Sequence, residues 1–364
     1  MRGSGHRKSL VILLGVLLCG GAGRAEAAAT SDQGASILFF AKVVADGVRD
    51  TVIEITNTSN LLVTAHCIYV RGLGACSATA APCRTDADCP AFPQPQICLD
   101  RWQTVDFNIM LTAQQPTVWP VGAGRALNPA DALTGFDPGF VPPASAPFQG
   151  ELKCIQTDAS GAPISANALI GRATIKNTQA LDLASYNAVG LQGLQSNDGD
   201  AVLCLGGAPS PICPNGAEYE GCPDRLTLEH EAYGAPDQLA GPGSAVRTDI
   251  TLVPCSEDFE TQTPATATIA FSAVNEFEQV LSTSTTITCW DDLSLASIGA
   301  ALTAPALGTD FAQTRMVASP NGAGVIAVAQ EFHDATSLTA SAAFNLHTAG
   351  TRAGGDVITL PTGP

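Results

Sequence analysis

Between Thr51 and Val70 two runs flank a polar turn with apolar residues recurring at every second position, and any fold for this chain must accommodate that period. In the run from Leu62 to Val70, Val63, Ala65, Cys67 and Tyr69 fall on one face and Thr64 and His66 on the other, as the pleat of a strand requires. That places Cys67 inward and His66 outward. The run from Thr51 to Thr56 is equally strand-like, and Asn57-Thr58-Ser59-Asn60 supplies turn chemistry between the two, so a hairpin is expected.

The pattern continues along the chain. Strands are expected near Ile37–Val44, Val105–Thr112, Glu151–Thr157, Ala166–Ile175, Ala184–Leu191, Ala201–Leu205 and Arg225–Glu231. More follow near Thr248–Val253, Ala265–Val274, Ser282–Trp290, Thr314–Ala318, Gly324–Phe332 and Thr339–Leu346. With 35 Gly and 24 Pro among 364 residues, many short strands and turns fit better than long helices. At 45% hydrophobic and 14% charged the chain is too apolar for disorder, and its length suits two domains. The expected fold is all-β, with two immunoglobulin-like or jelly-roll-like β-sandwich domains and disulfide-tied loops. The first domain would span 30–233 with a Cys-rich insert at 76–98, and the second 247–364. Between them 234–246, from Gly234-Ala235-Pro236 through Gly241-Pro242-Gly243, reads as a linker. Each half has a strand, an asparagine turn (Asn57, Asn275) and a strand bearing a cysteine (Cys67, Cys289), which leaves an internal duplication open.

Residues 1–29 read as a secretory signal. Arg2, Arg7 and Lys8 precede an apolar run from Leu10 to Leu18, and Ala25-Glu26-Ala27-Ala28-Ala29 offers small residues for cleavage. Leu18 before Cys19 stands where a lipoprotein site needs a small residue. No later segment approaches the roughly 18 apolar residues of a membrane helix. Removal of the segment leaves 13 cations against 33 anions, a net charge of −20. Such a field repels phosphate backbones and anionic membranes, so neither nucleic-acid binding nor a membrane span is expected. The localisation implied is secreted, periplasmic or extracellular.

Eleven cysteines follow the signal, none in C-x-x-C spacing, and in an exported chain disulfides are the default. Cys67, Cys76, Cys83, Cys89, Cys98 and Cys154 number six; Cys204, Cys213 and Cys222 three; Cys255 and Cys289 two. Five bridges and one free thiol are expected, with the odd cysteine in the middle group. Cys255–Cys289 is the expected bridge of the second half, where those two have no other local choice.

The strings DTVIEITNTSN (Asp50–Asn60), FQGELKC (Phe148–Cys154), LVPCSEDFE (Leu252–Glu260) and NEFEQVLSTSTTITCW (Asn275–Trp290) resemble segments of uncharacterised secreted proteins of environmental Gram-negative bacteria. The resemblance touches about a third of the mature chain. It implies export and sandwich-like β domains, and no activity. CRTDADCP (Cys83–Pro90), followed by Cys98, is similar to the C-x-x-D-x-D-C core of four-disulfide whey-acidic-type modules. The paired cysteines that should follow are missing, so it implies a disulfide-knotted loop and not inhibitor function.

Chemistry-bearing motifs are few. The chain after the signal has no G-x-S-x-G elbow, H-E-x-x-H pair, phosphate loop or dinucleotide fingerprint. His230-Glu231 opens like a zincin, but Gly234 occupies the second histidine's place. A histidine on a strand face with Leu226 and Leu228 is read as a hydrogen-bonded, partly buried side chain. His333-Asp334 would offer two members of a triad, yet neighbours on a strand point to opposite faces. Glu276 and Glu278 share a face about 6.6 Å apart, and read as a solvated hairpin rather than an acid and base pair. Asn197, Asp198 and Asp200 around Gly199 form a candidate metal site for Ca²⁺; Asp86 and Asp88 repeat the idea. No other cofactor is implied.

These readings converge on a non-enzymatic binding or structural association protein. Its partner would be a protein, a cell surface or another copy of itself. The alternative is a secreted hydrolase whose site is assembled from residues far apart in sequence.

Overall fold

The computed structural model describes residues 29–79, 81–91, 94–99, 101–128, 136–241, 243–334 and 339–361. Residues 1–28, nearly all of the segment 1–29 read above as a secretory signal, lie outside them, as do residues 129–135. The chain is nearly all β, with 53% strand and 4% helix in several antiparallel sheets. In the first half the strands are β1 (Ile37–Ala45), β2 (Arg49–Asn57), β3 (Val63–Arg71), β4 (Gly74–Cys76), β5 (Pro82–Cys83), β6 (Cys98–Leu99), β7 (Thr104–Leu111), β8 (Pro116–Pro120), β9 (Phe148–Thr157), β10 (Leu169–Asn177), β11 (Asp182–Asn187), β12 (Val189–Leu191) and β13 (Val202–Leu205). In the second they are β14 (Pro223–Glu231), β15 (Val246–Pro254), β16 (Glu257–Asp258), β17 (Thr266–Asn275), β18 (Val280–Thr288), β19 (Asp291–Ser294), β20 (Phe311–Ala318), β21 (Val325–Asp334), β22 (Thr339–Asn345), β23 (His347–Thr351) and β24 (Asp356–Thr359). Two one-turn helices, α1 (Leu295–Ile298) and α2 (Ala304–Leu307), lie between β19 and β20.

The largest sheet runs β11-β10-β2-β1-β9-β3-β7, with β12 on β1 and β8 on β2. A second runs β18-β17-β20-β14-β23 and a third β19-β15-β21-β22. Two hydrophobic clusters result. One is built on the largest sheet and takes in Val253, Trp290, Ile326 and Ile358 from the second half. The other lies among β14, β15, β17, β20 and β21. Strand β24 pairs with β13, so the chain's end returns to the first half.

The hairpin expected of β2 and β3 does not form. β2 pairs with β10 and β8 while β3 pairs with β9 and β7, so the two are neighbours in sequence only. The cause is Asn57. Its Nδ2 donates to the carbonyls of Leu61 and Thr112, and its Oδ1 accepts from Ser59 N, which shapes the connection as an arch toward β7. Asn275 governs a different turn. Its Oδ1 accepts from Phe277 N and Gln279 N, and β17 and β18 do pair as a hairpin from Val274↔Val280 to Thr266↔Thr288.

Segment 234–246, read above as a linker, is hydrogen-bonded across its own base. Gly234 N donates to Val246 O, Val246 N to Ala235 O and Asp237 N to Ser244 O. Strand β14, upstream of it, pairs with β20 and β23 downstream.

The disulfides are Cys67–Cys154, Cys76–Cys89, Cys83–Cys98, Cys204–Cys213 and Cys222–Cys255. Two expectations are corrected here. Cys255 joins Cys222 rather than Cys289, and the free thiol is the buried Cys289, not a member of the middle group. The reason is topological. Cys222 immediately precedes β14 and Cys255 immediately follows β15, and their Cα atoms lie 6.5 Å apart, within the usual span of a disulfide. Sequence proximity of Cys255 to Cys289 carried no information about that pairing.

Candidate functional site: a buried ionic junction and an uncharged sheet face

Strand β1 is buried along its whole length, so both its faces are covered, yet Lys42 sits in its middle. A charge there is tolerable only when paired. Lys42 Nζ reaches Asp292 Oδ1 at 2.8 Å and Oδ2 at 2.6 Å, and Thr251 Oγ1 donates to the same Oδ1 at 2.8 Å. Burial alone would raise the Asp292 carboxyl, but Lys42 overcomes this and holds it below the usual carboxylate range. The tetrapeptide Cys289-Trp290-Asp291-Asp292 supplies most of this junction. Trp290 Nε1 donates to Ala41 O at 2.7 Å, and the indole packs so closely on Gly72 that a Cβ there would lie 2.3 Å from it. Asp291 pairs with Arg84 at 2.6 Å, and Arg84 also donates to Asp292 O. On β9 Lys153 is enclosed with Glu151 and with Glu257 of β16. Two buried lysines thus meet carboxylates contributed by the second half.

The outward face of the β17–β18 hairpin is different in kind. Thr266, Thr268 and Ala270 alternate outward on β17, opposite Thr288, Thr286 and Ser284 on β18. Thr268 and Thr286 hydroxyls meet at 2.8 Å and those of Thr266 and Thr288 at 3.3 Å, cross-strand pairs of the kind that stabilise sheets. Ser272 and Ser282 continue the face beside Arg315 and Val317 of β20, where a shallow hollow opens. At the hairpin tip Phe277 and Val280 are 72% and 65% exposed, with Phe311 of β20 nearby at 43%. Within the sheet β18 is an edge strand.

The residues singled out by sequence are scattered over the molecule. Asn197, Asp198 and Asp200 lie in one turn, with their oxygens engaged internally. Asn197 Oδ1 accepts from Gly199 N, Asp198 Oδ2 from Asn215 Nδ2 and Asp200 Oδ1 from Val202 N. Asp88 Oδ2 accepts from Arg84 N and Thr85 N, and Asp86 Oδ1 from Cys98 N, so both acids brace the Cys-rich loop. Two other clusters among the described residues have the proximity a metal needs, Cys76 with Cys83 and Cys89, and Cys222 with Cys255 and Asp356. In both the sulfurs are in disulfides, which lack the thiolate charge that binds metal.

His230 is buried, with Nε2 2.8 Å from Thr314 Oγ1 and Nδ1 2.8 Å from Glu231 O; burial pushes it below the ordinary imidazole range. His333 meets a carboxylate across the fold: its Nδ1 lies 3.1 Å from Asp237 and its Nε2 3.2 Å from Glu331. Glu276 and Glu278 are exposed at the hairpin tip. The sequence reading missed the junction. The signals it left are a lone lysine inside the apolar run ILFFAKVVA and another in GELKC.

No protein-family model and no curated protein matches the chain. Fold and site define a disulfide-braced, nearly all-β protein whose two halves meet through buried ion pairs. Among the described residues no helix is long and apolar enough to cross a membrane.

Proposed function

We propose that this is an exported protein, freed of a signal segment ending near Ala29, that acts by binding or structural association and not by catalysis. In this reading its halves are β-sandwich units, and its site of action is the cell surface or the extracellular space. One observation carries the proposal: the uncharged hydroxyl face of β17 and β18, ending in exposed Phe277 and Val280, on a chain otherwise strongly acidic. The segments Thr266–Ser272 and Ser282–Thr288 carry no carboxylate, Glu276 and Glu278 being confined to the tip, and such a face on an edge strand favours contact with a second surface. The partner class is a protein, a cell-surface component or a second copy of the chain. Five disulfides suit an oxidising compartment.

Repurified protein is expected to turn over no ester, peptide or glycoside in a substrate panel. Turnover that disappears in a variant at His230, His333, Glu276 or Glu278 would overturn the reading in favour of a hydrolase.

A further inference from the structure

Lys153 lies near the middle of β9 with no solvent exposure. Its Nζ is 2.6 Å from Glu151 Oε1, two residues away on the same strand face, and contacts Glu257 Oε2 of β16. The rings of Phe39 and Phe259 stand 5.3 and 5.7 Å from the nitrogen. One ammonium, two carboxyls and two aromatic walls thus share a site open to solvent only at the Glu257 side. Glu151 Oε2 is buried there without a hydrogen-bond partner, and a buried orphan of this kind calls for an explanation. One ammonium cannot balance two carboxylates, Glu151 fully buried and Glu257 retaining slight exposure. Burial first, and then the charge of Glu257, push Glu151 well above the ordinary carboxyl range against the pull of Lys153, which favours its protonated form. Burial opposes the ammonium, but the two carboxyls together keep Lys153 protonated.

We propose that this triad is a modification site, at which Lys153 Nζ and Glu257 Cδ join in an intramolecular amide bond after folding, with Glu151 relaying the proton. The proposal is independent of the association reading. A proton first passes from the Lys153 ammonium to the Glu257 carboxylate along their contact. This exchanges two charges for a neutral amine and a neutral acid, and a dry site penalises neutral groups far less than ions. The Nζ lone pair then attacks Glu257 Cδ. One oxygen of Glu151 accepts the proton leaving nitrogen while the other gives its own to the departing hydroxyl. One C–N bond forms, one C–O bond breaks, one water leaves, and Glu151 ends as protonated as it began. No oxidant or reductant is needed. Groups held in contact by a rigid fold react with effective molarities of about 10⁵ M or more, which offsets the poor leaving group. The reactive neutral pair is the minor form, so the bond forms slowly.

The second buried lysine is the internal contrast. Asp292 accepts Lys42 on both oxygens and Thr251 on one, and its carboxyl is held ionised, so that pair stays ionic. The proposed bond links residues 104 apart in sequence and ties β9 to β16 beside the Cys67–Cys154 disulfide.

Intact-mass measurement of the reduced mature chain tests the proposal. The expected mass is lower by one water than the sequence demands, and a digest yields a branched peptide containing Lys153 and Glu257. The deficit is expected to vanish in Lys153→Met and Glu257→Ala, and to be reduced or absent in Glu151→Ala. The native chain decides the matter even where a variant fails to fold. Full mass with separate linear peptides covering Lys153 and Glu257, or a deficit located elsewhere, overturns the proposal.

Discussion

At Cys289 the backbone enters the left-handed region, φ 63°, which costs a non-glycine residue about 1 kcal/mol. That turn ends β18 and delivers Trp290, Asp291 and Asp292 into the junction. The thiol itself is buried and pushed far above the ordinary range, first by burial and then by the neighbouring Glu257. It is therefore expected to be silent toward an aromatic disulfide reagent in the native protein. Unfolding without reductant should release one reactive thiol per chain. Rapid native reaction, or additional thiols on unfolding, would contradict the assignment. The number of free thiols was legible in the sequence, because eleven cysteines cannot all pair. Which one is free was not, since pairing depends on Cα distances set by Cys222 just before β14 and Cys255 just after β15. A lysine buried among apolar residues was visible as an anomaly, whereas its carboxylate partner lay hundreds of residues away.

At the scale of elements, period-2 alternation located most strands to within a few residues, since the pleat imposes that period whatever the neighbours are. Pairing was another matter. The same asparagine-turn signal produced an arch at Asn57 and a true hairpin at Asn275, because the outcome rests on which distant carbonyls the Nδ2 finds. The short strands β19 and β24 and the helices α1 and α2 had no usable period. The loop 234–246 also shows a contact that the sequence hid: Asp237 in it meets His333 of β21. Burial works against the charged imidazole, but Asp237 and Glu331 prevail and raise His333 above its ordinary value. A raised folded-state value means the contact stabilises fully below the unfolded imidazole range and is lost as pH rises through the folded value. The stability advantage of wild type over His333→Gln is accordingly expected to be largest below about pH 6.5 and to shrink on the alkaline side. Denaturant midpoints across that range check it, and an advantage that grows with pH would refute it.

On the scale of the whole molecule, the halves are joined by ion pairs in a dry setting, by Trp290 on Gly72, and by side chains that replace backbone pairing between β11 and β22. Asn345 Oδ1 accepts from Asn187 N while its Nδ2 donates to Asn187 O, and Ser341 N donates to Asp182. This covers two strand edges that would otherwise invite pairing with another chain. Removing one member of a buried pair strands the other, so Lys42→Met should cost about 3–5 kcal/mol in denaturant unfolding. The double variant Lys42→Met, Asp292→Leu should regain much of that; a single-variant loss below about 1 kcal/mol would place the pair with weak surface bridges.

With these edges covered, the β17–β18 face is the surface proposed for association. Because the chain carries a net charge of −17, association between copies should strengthen as salt screens repulsion beyond about 10 Å at 0.1 M ionic strength. Sedimentation velocity over protein and salt concentration, on the mature wild type and on a Ser284→Glu, Thr286→Glu variant of unchanged circular dichroism, tests this most directly. Wild type is expected to self-associate increasingly with salt while the variant stays monomeric; a monomeric wild type throughout, or a variant that associates equally well, would refute the assignment.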